Sequence, residues 1–267
     1  MAAFSRTAAR GSAMASAEIA RSASPRGELV LLRRSPDGAL ELRVNGVFVM
    51  DSSETTTERQ LAARALASWT ACRQRTQRNP LAPPGPAARV LVAGLGLGYT
   101  LQETLRHPVV TQVLVAEIEP ELVGWHRAGL MDSDLADCLE DARVDVVVAD
   151  VLDVVRRQAP ASVDVLILDV DNGPVNLVYD ANAAVYGSHF LRSCWAASSQ
   201  CGVVAIWSAD SSIALRDTMT GVYAHVAEVD IPVRLGRRQS TYTLLLGSRC
   251  TRQAPRLAAE VGDTVES

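Results

Sequence analysis

Two carboxylates, Asp169 and Asp171, follow the apolar run VDVLIL in the stretch LDVDNGP, just ahead of an Asn-Gly-Pro turn. Acids at the mouth of a strand can hold a cation and accept its proton, and two neighbouring acids raise each other's proton affinity toward neutrality. Comparable residues end three earlier apolar runs. RVLVA (89–93) leads into GLGLG, where Gly94, Gly96 and Gly98 permit a tight turn and a close backbone approach to a ligand beneath a helix start. QVLVAEI (112–118) delivers Glu117 and then Glu119, at the spacing from the glycines where an acid accepts hydrogen bonds from ribose hydroxyls. VDVVVA (144–149) ends at Asp150, whose carboxylate can take a hydrogen bond from an adenine amino group while the Val151 N–H serves a ring nitrogen. Each has a structural alternative: glycines for helix–strand packing, Glu119 beside a helix N-terminus, Asp150 as a helix cap.

The elements that must position these residues are legible as runs and breaks. Apolar runs at 89–93, 112–118, 144–149, 163–168, 202–208, 228–233 and 241–247 alternate with amphipathic stretches at 98–107, 120–129, 151–158, 182–199 and 211–224. Continuous Val/Ile/Leu strands separated by helices predict an α/β domain, doubly wound, with a mostly parallel seven-stranded sheet. The last two strands, with no helix between them, close it as an antiparallel hairpin. Ligands bind such sheets beyond the carboxyl ends of the strands, which is where the glycines and acids fall. Ahead of this domain, residues 28–80 read as a small β-rich piece with a hairpin at Asn45-Gly46 and a helix in ETTTERQLAARALASW. A Pro-rich linker is expected at 81–88, the Rossmann-like domain at 89–248, and disordered tails at 1–27 and 249–267. The Ala/Ser/Arg-rich first segment also has the composition of an organelle transit peptide.

Composition limits the partners. The chain of 267 residues is 48% hydrophobic with a formal net charge of -4, so no general attraction to nucleic acid or to anionic membranes is implied. Every basic residue is Arg, which excludes a Schiff-base lysine. Five scattered Cys and four lone His suggest neither a disulfide framework nor a metal site, and a cytoplasmic location is the simplest expectation. Trp125-His126 reads as a helix surface packing on the sheet, and WSAD (207–210) and RLGRRQ (234–239) as rim loops.

In series, glycine loop, acid, acid and acid match the S-adenosylmethionine-type Rossmann fold better than a nicotinamide dehydrogenase. Over about residues 28–248 the chain resembles the spermidine synthase (polyamine aminopropyltransferase) family, including its TER-containing segment. The resemblance implies that Gly94, Gly96, Gly98, Glu117, Asp150 and Val151 hold decarboxylated S-adenosylmethionine as co-substrate. It makes Asp169 the catalytic base, with Asp171 and Pro174 on the amine substrate, and implies a homodimer. Three departures stand out: Leu97 replaces the acid of the family's G-G-G-D-G loop, the acidic segment after the fourth strand is shortened, and the family's substrate-contacting Gln and Tyr/His are missing. The expected reaction is aminopropyl transfer to an amine such as putrescine. Methyl transfer from S-adenosylmethionine is the alternative, because Leu97 removes a charge opposing that donor's carboxylate, and a non-catalytic nucleoside-binding homologue is a third.

Overall fold

A computed structural model of the chain describes residues 16–250 except 36, 77–86, 133, 134, 136, 171, 236 and 237. Residues 81–86 of the expected Pro-rich linker, the first part of the N-terminal tail and nearly all of the C-terminal one therefore lie outside the described residues, as does Asp171. The chain divides into two units, Met1–Ser53 and Glu54–Ser267.

The smaller unit is an antiparallel four-stranded sheet in sequential order: β1 (Ser16–Ser24), β2 (Gly27–Arg34), β3 (Leu40–Val44) and β4 (Val47–Asp51). Asn45 (φ 53) and Gly46 (φ 77) both occupy left-handed conformations, as a two-residue hairpin turn between the paired Val44 and Val47 requires. The Asn45 side chain also accepts the Glu28 N–H at 2.9 Å. β1 corrects the expectation of an unstructured tail across 1–27. It is an edge strand with mostly exposed side chains, so its sequence carries no apolar alternation, and its order comes from the backbone ladder to β2.

The larger unit contains α1 (Thr56–Thr76), β5 (Ala88–Ala93), α2 (Tyr99–Arg106), β6 (Val110–Glu117), α3 (Pro120–Arg127), β7 (Val144–Val148) and α4 (Val151–Arg156). It continues with β8 (Val163–Leu168), α5 (Ser188–Ala197), β9 (Ser198–Ser208), α6 (Ile213–Thr220), β10 (His225–Leu235) and β11 (Arg238–Ser248). Its sheet runs β10-β11-β9-β8-β5-β6-β7, with β5 to β9 parallel and β10 and β11 antiparallel, as the sequence predicts. The helix expected over 182–199 is split: residues 180–186 form a 3₁₀ turn and α5 begins after Gly187.

The helix expected in the N-terminal piece belongs to the larger unit. α1 buries Leu61, Ala62, Ala65, Leu66, Trp69 and Cys72, and packs on α2, β8 and β9. Its alanines let the helix axis approach the sheet closely, which outweighs proximity in sequence to the hairpins. The strand order reverses between β5 and β8, whose neighbours lead away in opposite directions, and this reversal opens the crevice in which ligands of doubly wound sheets bind. Among the described residues no helix is long and apolar enough to cross a membrane.

Replacing Asn45 by Ala removes a residue that tolerates positive φ and the acceptor for Glu28, and is expected to destabilise the hairpin unit by about 1–2 kcal/mol. Hydrogen exchange of the β2–β4 amides measures this, and unchanged protection would contradict it.

Candidate active site

β5 ends at Ala93, and the chain turns through three glycines at positive φ, Gly94 (86°), Gly96 (50°) and Gly98 (99°), into α2. Gly94 sits against the end of β8: a Cβ there would lie 1.9 Å from the Asp169 carbonyl oxygen. The Asp169 N–H in turn donates to the Ala93 carbonyl at 2.9 Å. Gly96 is held from below by α3, where His126 donates its Nε2–H to the Gly96 carbonyl at 2.9 Å. Burial pushes the imidazole pKa down, so the neutral ring with its proton on Nε2 is the form that makes this bond. The ring also lies against Gly98, where a Cβ would come within 3.0 Å of it. His126 is buried on the packed face of α3, and its partner there is the glycine loop. A helix histidine read without its partner gives no signal of this.

Glu117, at the end of β6, is buried and faces the same loop. Its Oε2 accepts the Leu95 N–H at 2.7 Å and its Oε1 the Glu119 N–H at 2.8 Å. Burial raises its pKa, opposed by these backbone donors. A carboxylate has about four acceptor positions, so both oxygens keep capacity for hydroxyl donors. The Glu117 carbonyl receives the Ala149 N–H, which brings the end of β7 alongside. Asp150 uses Oδ1 to cap α4 through the Leu152 N–H at 2.8 Å, leaving Oδ2 for a ligand, and Val151 is buried in the first turn. Glu119 takes the Tyr179 hydroxyl at 3.5 Å.

Half-buried Asp169 follows β8 at the strand-order reversal. Thr100, on α2, donates its hydroxyl to Asp169 Oδ2 at 2.6 Å. Loss of hydration pushes the Asp169 carboxyl up to about 6 despite that bond. A second carboxyl acts on it: Glu58, buried in the first turn of α1, is pushed up to about 8 by burial and then by the charge of Asp169. Its Oε2 accepts the Thr57 hydroxyl at 2.8 Å. The described acid beside Asp169 thus comes from α1, through a tertiary contact that no local pattern announces.

Beyond Asp169 the chain is clamped to the loop after β9. The Ala209 N–H donates to Asn172 O at 3.1 Å, Gly173 leaves no room for a Cβ against Ser208, and Asn176 bonds Asp210. Pro174 is half-buried in this clamp. Leu97 has no exposed surface and packs inward.

The arrangement offers a glycine cradle, two acids with spare acceptor positions for a nucleoside, and paired carboxyls for a cation. Comparisons with known proteins give the family and the fold. Residues 80–229 match the profile of the family described as spermine/spermidine synthase domain. A polyamine aminopropyltransferase of Synechococcus sp. is 38% identical over 94 residues, which are 34% of this chain and 30% of the relative. The polyamine aminopropyltransferase 2 of Streptomyces coelicolor is 36% identical over 110 residues, 40% of this chain and 19% of the relative. The aligned stretches therefore span less than a third of either relative. The crystal structure of spermidine synthase from Thermotoga maritima superposes with a TM-score of 0.69 at 16% identity, covering 88% of this chain and 74% of that one. A spermidine synthase in complex with the transition state analogue AdoDATO gives 0.72 at 17%, covering 88% and 75%. At these identities the superpositions establish the fold.

Gly94→Ala forces both an unfavourable φ and a clash with backbone, and is expected to lower stability by more than about 2 kcal/mol in denaturant unfolding. Glu58 gives a pH-dependent test. Unfolded, it titrates at its ordinary 4.5, and folded at about 8, so between these values the folded state binds more protons and loses stability as pH rises. Glu58→Gln, which cannot ionise, should gain melting temperature on the wild type by a few degrees between pH 5 and pH 8. A difference independent of pH would show that Glu58 does not titrate there.

Proposed function

The chain belongs to the spermine/spermidine synthase family, and from that premise we propose that it transfers an aminopropyl group from decarboxylated S-adenosylmethionine to a small amine such as putrescine. The observation that carries this reading is Asp169: an acid at the strand-order reversal, bonded by Thr100, facing the glycine loop, with a pKa raised to about 6. The names of the related aminopropyltransferases support the reaction class. The fold shared with a spermidine synthase that binds a transition state analogue supports the placement of the site.

Gly94, Gly96 and Gly98 admit the donor's backbone-facing edge, Glu117 holds its ribose hydroxyls, and Asp150 with the Val151 N–H reads its adenine. The donor's sulfonium activates the adjacent carbon. Asp169 accepts a proton from the acceptor ammonium, whose pKa near ~10 leaves it mostly charged at pH 7. The freed nitrogen forms its bond to the aminopropyl carbon as the carbon–sulfur bond breaks, with methylthioadenosine leaving. Asp171 and Pro174 belong to the amine end in this reading. We assign the activity to the cytoplasm, which five buried free thiols support, and to a homodimer on the strength of the family resemblance.

Incubation with decarboxylated S-adenosylmethionine and putrescine should release methylthioadenosine and spermidine, detectable by mass spectrometry. The rate should rise as pH passes about 6 and Asp169 ionises. Asp169→Asn should lower kcat by about 10²- to 10⁴-fold, the usual contribution of a positioned base, while methylthioadenosine affinity stays within a few-fold. Methyl transfer from S-adenosylmethionine in place of aminopropyl transfer would overturn the assignment.

A further inference from the structure

The acid nearest Asp169 in its effect is Glu58, which no part of the reaction above uses. Its helix is seated on the site by several contacts. α1 packs on α2 and β8, which supply Thr100 and lead into Asp169. Arg59, next to Glu58, is directed at α2: it bonds Glu103 at 3.4 Å and lies over the Tyr99 ring at 5.1 Å. Arg59 is thereby committed elsewhere and does not neutralise the acids. The charges acting on Glu58 are Asp169 from the end of β8 and Glu54 from the turn ahead of α1, where Glu54 also receives the Thr56 N–H. The side-chain bonds drawn to the two carboxyls in the site come from hydroxyls, Thr57 to Glu58 and Thr100 to Asp169, and Glu58 has in addition its own backbone N–H. Hydroxyls supply no counter-charge, and two adjacent carboxylates so enclosed cannot both stay ionised.

We propose that Glu58 is a specificity residue for the acceptor: with Asp169 it retains one proton in the empty site, and it releases that proton when an ammonium group takes its place beside the two carboxyls. The inference deepens the aminopropyl-transfer reading and rests on it for the identity of the acceptor. The charge balances. The empty pair, one acid and one carboxylate, carries -1, and two carboxylates with one ammonium also carry -1, the released proton passing to solvent. A cation is thus accepted without change in net charge, and a neutral alcohol of the same length, which cannot displace the proton, is refused. Asp169, ionised beside the bound ammonium, is then ready to take the nitrogen's proton when the donor is in place. The pushed-up values, about 8 for Glu58 and about 6 for Asp169, agree with Glu58 as the member that holds the proton at neutral pH.

The test is calorimetric titration of putrescine into the full chain saturated with methylthioadenosine, at pH 7 in two buffers of different ionisation enthalpy, which counts protons released per amine. The wild type should release close to one proton. Glu58→Gln should release almost none and bind putrescine about tenfold more weakly, as loss of one charge-assisted contact implies. Glu58→Asp, which keeps the carboxyl, should restore proton release and separates the effect of charge from a folding defect. Proton release unchanged in Glu58→Gln, or a wild type that binds 1,4-butanediol as well as putrescine or binds neither, would overturn the proposal. The two readings fail separately. A wild type that forms spermidine with kinetics indifferent to Glu58→Gln refutes the role of Glu58 alone, whereas Glu58-dependent proton release without aminopropyl transfer refutes the reaction and leaves Glu58 as the cation acceptor.

Discussion

The bare α-carbon of Gly94 against the carbonyl oxygen of Asp169 is the contact on which the site depends. β5 and β8 are the strands between which the order of the sheet reverses, so their ends must part to leave a crevice. Yet they must stay close enough for one ligand to touch the loops after both. The Asp169 N–H on the Ala93 carbonyl keeps the last rung of the sheet closed, and the missing Cβ lets the glycine loop leave it without pushing Asp169 away. From this junction the loop is tied to His126 through the Gly96 carbonyl and to Glu117 through the Leu95 N–H, and α2 starts with Thr100 already within reach of the Asp169 carboxyl.

The buried acids around that junction are neutralised in different ways, and the difference sorts their roles. Glu117 receives two backbone N–H groups, whose dipoles are fixed and favour the anion, so it can remain a constant acceptor. Asp169 receives a hydroxyl, and Glu58 a hydroxyl beside its own backbone N–H; hydroxyls rotate and satisfy an acid and a carboxylate equally. Rigid amides suit a residue that must hold a neutral sugar; hydroxyls suit residues that must gain and lose protons. The donors to Glu117 lie in the glycine loop and the turn after β6, whereas the hydroxyls on Asp169 and Glu58 come from α2 and α1.

What could be read from the sequence follows from the range of the interactions. The parallel strands declare themselves because they are continuous Val/Ile/Leu runs, buried throughout in the central β8, and the glycines and acids at their ends fall where a doubly wound sheet places its ligands. β1 did not, because an exposed edge strand of Ala, Ser and Arg is ordered by hydrogen bonds that any residue can make. His126 and Glu58 were missed for a different cause. Each acts through a partner brought to it by the fold, His126 on the Gly96 carbonyl and Glu58 on Asp169, and each sits in a helix whose local pattern is satisfied without it. The same holds for α1 as a whole: near the hairpins in sequence, it packs on the larger sheet because its Ala-rich face fits there.

Leu97 takes on a different meaning once its burial is known. Expected to stand in the cleft and choose the donor, it has no exposed surface, and an acid placed there would lose its hydration. Discrimination against a carboxylate-bearing donor then cannot depend on a charge at position 97. In the proposed reading it falls to the negative charge in the rest of the crevice, which Asp169 with Glu58 would supply. In the proposed cycle the pair carries -1 both when empty with its one proton and when an ammonium has replaced that proton, so the crevice presents the same net charge to a donor at either stage. Donor choice by charge is then independent of whether the acceptor is already bound, and the shared proton acts on acceptor choice alone.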